Sequence, residues 1–177
     1  ALTENQVQIL GRYSSQFLML YDGDKAGRNA AVKAAAIILK KGYSVKIVSI
    51  PNNDDPDSFL RNHPPAEMDN LIANALPLPE FLKRNQDLMS TRESIDLMLS
   101  IAQDFKDPVQ RDLFIQNISD IFSVSEQSIR EKAARVPQYS AYSEEKKPKK
   151  QSAHKNLEEV KLLQTILKNK EALKKVA

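Results

Sequence analysis

The sequence predicts an α/β unit built as a parallel βαβ, followed by an α-helical subdomain and a linker leading to a further helix. Three observations carry that reading. Phe17-Leu18-Met19-Leu20-Tyr21 is an apolar run bounded by turn signals, the pattern of a strand buried on both faces. Ala30, Ala31, Ala34, Ala35, Ile38 and Leu39 then recur at helical spacing through Lys41, where Gly42 supplies a stop and Val45 to Ile50 form a second strand. Strand, helix and strand in that order give a parallel pair with a right-handed crossover. After Pro56 the strand signal ends, and capping residues alternate with amphipathic runs, as in a small helical bundle.

Taken in order, Thr3-Glu4-Asn5-Gln6 is a capping box that opens a helix to about Arg12. The βαβ unit runs to about Ile50. Asp55-Pro56 has the form of an N-cap with proline at the first helical position, starting a helix from Pro56 to Asn62. Ala66 to Leu76 is a short amphipathic segment, and Pro77 with Pro79 marks a subdomain boundary. A helical region begins at Pro79. Ser90-Thr91-Arg92-Glu93 is a second capping box, with Ile95, Leu97, Met98, Ile101 and Phe105 on one apolar face. Asp107-Pro108 starts the next helix, expected to bury Leu113, Phe114, Ile115, Ile118, Ile121 and Phe122, and Ser125 starts one more to about Ala134.

The turn before that last helix also has the look of a helix-turn-helix, with Gln127, Ser128 and Arg130 as candidate readers. Its second helix carries nearly as many acids as bases, which favours plain bundle packing. Residues 137–156, with Glu-Glu-Lys-Lys-Pro-Lys-Lys at their centre, read as a flexible linker. From Leu157 an amphipathic helical pattern resumes through Val160, Leu163, Leu167 and Leu173.

At 177 residues and 41% hydrophobic, the chain has enough apolar content for one compact domain or one and a half. It has no cysteine, hence no disulfide and no thiolate metal site, which is compatible with a cytoplasmic setting. No signal peptide or apolar run of membrane length is present. From Gln138 onward there are 10 lysines against 5 acidic residues, net +5, whereas the preceding part is net −2. The overall +3 therefore reflects a basic tail and is weak evidence for nucleic-acid binding by the folded part. Two clear strands are too few for a viable parallel sheet, so the sequence is expected to be a piece of a larger protein, divided within a domain.

The chemistry concentrates where the strands end. Tyr21-Asp22-Gly23-Asp24-Lys25-Ala26-Gly27-Arg28 places two aspartates one residue apart at the carboxyl end of the first strand. The second strand runs into Pro51-Asn52-Asn53-Asp54-Asp55-Pro56-Asp57. If the strands are parallel neighbours, Asp22, Asp24, Asp55 and Asp57 open on one edge. Unit charges about 4 Å apart repel by roughly 4 kcal/mol at an effective dielectric near 20. Clustered carboxylates therefore hold a cation or raise a pKa, and all-oxygen ligation suits Mg²⁺ or Mn²⁺ better than zinc. The plainer alternatives are a polar turn at Asp22-Gly23-Asp24 and a cap at Asp55, which does not exclude metal contact. An EF-hand fails, because its fifth position is Ala26 and its twelfth is Lys33. A bare phosphate cradle is poor too, since the aspartates repel phosphate unless a metal lies between.

These two stretches carry a resemblance. Tyr21-Asp22-Gly23-Asp24-x-Ala26-Gly27-x-x-Ala30-Ala31 with Pro51-x-x-x-Asp55-Pro56-Asp57 resembles the second half of the Toprim domain of DnaG-type bacterial DNA primases. The likeness covers roughly residues 1–135. It departs at Asn53, where the family commonly has glycine, and the family's glutamate-bearing motif is absent from the sequence. The resemblance implies the C-terminal half of Toprim at 1–76 and the helical subdomain of the polymerase core at 77–136. It further implies a linker at 137–156 and the start of a helicase-interacting C-terminal domain at 157–177.

The implied activity is DNA-dependent synthesis of short RNA primers by nucleotidyl transfer. Asp22 and Asp24 would be catalytic metal ligands, with Asp55 and Asp57 as further or water-mediated ligands of Mg²⁺ or Mn²⁺. Zinc is expected only in an N-terminal domain outside this sequence. The implied partners are a single-stranded DNA template, nucleoside triphosphates, the RNA primer and the replicative helicase, with no membrane. Lys25 and Arg28 are available to meet phosphate. The chain by itself is expected to be inactive. The rival readings are another Toprim enzyme, a nuclease or topoisomerase, and a non-catalytic helical adaptor.

Overall fold

The computed structural model describes residues 2–51 and 54–135. The first helix, α1 (Glu4–Leu10), starts at a capping box with both arms formed: the Thr3 hydroxyl accepts from the Gln6 amide, and the Gln6 side chain accepts from the Thr3 amide. Strands β1 (Gln16–Leu20) and β2 (Ser44–Val48) pair in parallel, from Gln16 opposite Ser44 to Leu20 opposite Val48. Helix α2 (Lys25–Lys40) makes the crossover between them and packs on the sheet. Its small residues Ala31, Ala34 and Ala35 are buried, which lets the helix lie close to the strands.

Beyond β2 the chain is helical: α3 (Pro56–Asn62), α4 (Pro65–Ala73), α5 (Leu78–Arg84), α6 (Thr91–Ala102), α7 (Pro108–Phe122) and α8 (Glu126–Arg135). The Ser90–Glu93 capping box opens α6 with both arms present, and Asp107 caps α7 through the Val109 amide. Between α4 and α5, Leu76 lies antiparallel on the side of β2 opposite β1, exchanging two backbone hydrogen bonds of 2.7 and 2.9 Å with Ile47. Pro77, where the sequence suggests a subdomain boundary, directly follows this bridge, and one hydrophobic cluster includes residues from both sides of it. The linker expected at 137–156 and the helix expected at 157–177 lie outside the described residues.

One hydrophobic core runs from the βαβ unit into the bundle. Ile38 and Ile47 belong to the same cluster as Phe81, Leu82, Met98, Ile101 and Ile118. Full burial of side chains such as these contributes about 1.5–3 kcal/mol each. Ile50, Phe59 and Met68 form a smaller cluster beneath α3 and α4.

Two expectations about burial need correcting. β1 is not buried on both faces: Phe17 and Met19 are half-buried against the core, whereas Leu18 and Leu20 are 46% and 39% exposed. On the same face Val48, the partner of Leu20, is 3% exposed, so the outer face is covered at β2 and open at β1. Leu113, expected inside α7, is 62% exposed. The buried stripe of α7 runs through Ile115, Ile118 and Phe122, and a residue two positions from Ile115 points to nearly the opposite side of a helix.

The candidate DNA readers of α8 are also engaged locally. Arg130 pairs with Glu126 at 2.8 Å and Asp112 at 3.0 Å, Gln127 with Glu131, and the Ser128 amide with Ser125. These contacts are those of bundle packing, with α8 held against α7.

Candidate functional site

Because β1 and β2 are parallel, the loops that follow them leave from the same edge of the sheet. Among the described residues a backbone hydrogen bond fastens one loop to the other: the Gly23 amide donates to the Asp54 carbonyl at 2.8 Å. The approach leaves no room for a side chain. A Cβ on Gly23 would lie 2.4 Å from the Ile50 carbonyl oxygen, and one on Gly27 would lie 2.3 Å from the Asp22 carbonyl oxygen. The two glycines of the Asp-Gly-Asp-x-Ala-Gly run are therefore required by proximity to backbone, which cannot swing aside.

Each aspartate has a distinct setting. Asp22 is exposed and makes no hydrogen bond or ion pair with any described residue. Asp24 is the N-cap of α2, with Oδ1 accepting from the Gly27 amide at 2.6 Å. Asp55 is the N-cap of α3, with one oxygen accepting from the Asp57 and Ser58 amides at 2.9 Å each. The Ser58 amide is the foremost cause holding the Asp55 carboxyl below the usual range for aspartate. Asp57 pairs with Arg61 one turn along α3, at 2.5 Å. The capping role read at Asp55 is thus observed.

A hard cation suits Asp22 and Asp24 by donor chemistry. They offer exposed carboxylate oxygens and none of the nitrogen or sulfur donors that zinc prefers. Among the described residues there is no group of three or more His, Cys, Asp or Glu arranged to hold a metal. A two-carboxylate site still fits magnesium, which commonly keeps several waters and takes one or two carboxylates together with substrate phosphates.

Of the two basic residues in the motif, Lys25 is exposed, and its charge acts on Asp87 without forming an ion pair. Arg28 is engaged: its guanidinium donates to Asp87 at 2.8 and 3.1 Å and to Asn85 at 2.7 Å. Two participants went unread in the sequence. Asp54 acts through its backbone carbonyl, which no residue-type pattern marks. Asp87 lies 59 positions from Arg28, in a polar stretch with no motif of its own.

Residues 1–60 match the Toprim-like family model. The DNA primase of Clostridium acetobutylicum is 31% identical over 163 residues, covering 89% of this chain and 27% of that protein. The chain resembles a stretch of DnaG-type primase. The solved structure of the zinc-binding and RNA polymerase domains of the Aquifex aeolicus primase agrees in fold, with a TM-score of 0.61 and 28% identity. That match covers 75% of this chain and 32% of the solved one. A DnaG primase catalytic domain solved bound to ssDNA shares the fold at a TM-score of 0.57 and 21% identity, over 72% of this chain and 44% of its own. The fold is accordingly part of a Toprim unit followed by a helical subdomain. Metal dependence is general to Toprim primases. Among the described residues, no helix is long and apolar enough to cross a membrane.

Proposed function

We propose that this chain is part of a DNA primase, an RNA polymerase that makes short primers on single-stranded DNA by metal-dependent nucleotidyl transfer in the cytoplasm. The observation that carries the reading is the Asp22-Gly23-Asp24 loop, with both aspartates exposed and the buried glycine fastened to Asp54, at the carboxyl edge of parallel strands. Primase relatives matching across most of the chain support it. Because the chain spans only 27% of the Clostridium protein, template reading and helicase contact are assigned to the whole protein.

In the reaction, a primer 3′-hydroxyl attacks a nucleotide α-phosphate and pyrophosphate leaves. Bound Mg²⁺ or Mn²⁺ would supply charge neutralisation and activation of the hydroxyl. Asp22 and Asp24 would hold it directly, with Asp24 oriented by its cap to Gly27. Asp55 and Asp57 would act at longer range, since both already serve α3. Lys25, exposed beside this loop, would meet triphosphate charge.

The test is primer synthesis by the full-length protein on a single-stranded template with ribonucleotides and Mg²⁺. Asp22→Asn and Asp24→Asn are each expected to cut synthesis by at least ~100-fold, the scale of losing a principal charge-stabilising group. Synthesis at the unsubstituted rate by either variant would overturn the assignment.

A further inference from the structure

We propose that Arg28 is a positioning residue that sets the acidic loop against the helical part of the fold, through Asn85 and Asp87. The inference rests on the primase reading for its functional consequence and on geometry for its existence. Arg28 follows Asp24 by one helical turn, and its amide donates to the Asp24 carbonyl at 3.0 Å. Its guanidinium spans to the α5–α6 connection in a bidentate pair with Asp87, at 2.8 and 3.1 Å, and a third bond to Asn85 Oδ1 at 2.7 Å. Planar, two-point geometry of this kind fixes orientation as well as distance.

The acceptor side is itself anchored. Asn85 donates from Nδ2 to the Phe81 carbonyl at 2.8 Å, and its backbone amide caps the end of α5. Phe81 and Leu82 are 1% and 0% exposed in the shared core. A continuous chain of contacts therefore leads from the centre of the bundle to the first turn of α2, whose cap is Asp24. The sequence left Arg28 free to meet phosphate. In the structure its outer nitrogens are committed to Asn85 and Asp87, and its Nε is buried without a hydrogen-bond partner among the described residues. Misplacement of a catalytic group by about 1 Å can cost roughly 100-fold in rate, whereas partly exposed ion pairs contribute little to stability. The clamp should therefore matter more to turnover than to folding.

The experiment compares the full-length protein with Arg28→Lys, Asp87→Ala and the exchanged pair Arg28→Asp with Asp87→Arg. Primer synthesis is measured at varied ribonucleotide, alongside thermal melting. Expected are a kcat lowered about 10-fold in both single variants, KM for ribonucleotide within about twofold, and partial recovery in the exchanged pair. A raised KM in Arg28→Lys with Asp87→Ala unaffected would make Arg28 a phosphate contact and overturn the proposal. If the unsubstituted protein makes no primers, the primase reading fails on its own. Hydrogen exchange at the Gly27 amide then decides: faster exchange in Asp87→Ala supports the clamp, and unchanged exchange refutes it.

Discussion

The Gly23 amide donates to the Asp54 carbonyl at 2.8 Å, joining the loop after the first strand to the loop after the second. The glycine is buried, and a Cβ there would stand 2.4 Å from the Ile50 oxygen. Gly23→Ala and Gly27→Ala should each destabilise the fold by about 1–3 kcal/mol, the usual cost of overpacking against atoms that cannot move aside. Urea denaturation of the two variants checks this, and unchanged midpoints would mean that the loops relax freely.

Asp22 and Asp24 should separate under alanine substitution. Loss of a like charge, taken alone, leaves the fold nearly intact at both positions. At Asp24 the cap to the Gly27 amide alters that expectation. Asp24→Ala should cost about 0.5–2 kcal/mol, whereas Asp24→Asn keeps the cap and costs little. Asp22→Ala should stay within about 0.5 kcal/mol of the original, as surface changes without lost contacts do. Equal losses at the two positions would contradict the capping geometry.

Acid should weaken the fold through identifiable carboxylates. Pairing with Lys41 lowers the Glu4 pKa, and the Arg28 guanidinium lowers that of Asp87. Ser90 lowers Glu93, and the Ser58 amide lowers Asp55. A folded-state pKa below the unfolded one gives stability that is present above the unfolded value and lost as pH falls through the folded value. Denaturation midpoints should hold steady down to about pH 5 and drop below about pH 4. Asp87→Asn should be less stable than the original at pH 7 and show a shallower acid decline.

The outer face of β1 predicts association of the 177-residue chain prepared alone. Leu18 and Leu20 are exposed beside a strand whose only pairing among the described residues is with β2. Open apolar edges of this kind recruit further strands. Light scattering over a dilution series should show a mass that rises with concentration, and Leu18→Lys with Leu20→Lys should suppress the rise. A monomer at every soluble concentration would show the edge to be benign.

What the sequence made legible was mostly local chemistry. The Thr3 and Ser90 capping boxes, the Asp55-Pro56 start and the strand-to-aspartate junction each depend on backbone groups within a turn of the residues that announce them. The failures involve tertiary placement. Leu113 has the right composition for the core but the wrong side of α7, and the face of β1 depends on what packs there. The Arg28–Asp87 pair joins positions that only the packing of α2 against the bundle brings together. Asp54 contributes a carbonyl, which every residue has. Around the acidic loop, residue type revealed the carboxylates, while the backbone contact that fastens them could be seen only in the fold.

Iron-directed cleavage tests the central claim, a metal site at the acidic loop, most directly. Fe²⁺ replaces Mg²⁺ in the full-length protein, and peroxide then cuts the backbone near the bound ion. The account predicts cuts at residues 22–24 with weaker ones at 54–57, suppressed by excess Mg²⁺ and lost in Asp22→Asn. Cuts confined to other parts of the chain, or a pattern indifferent to Mg²⁺ and to Asp22→Asn, would contradict it.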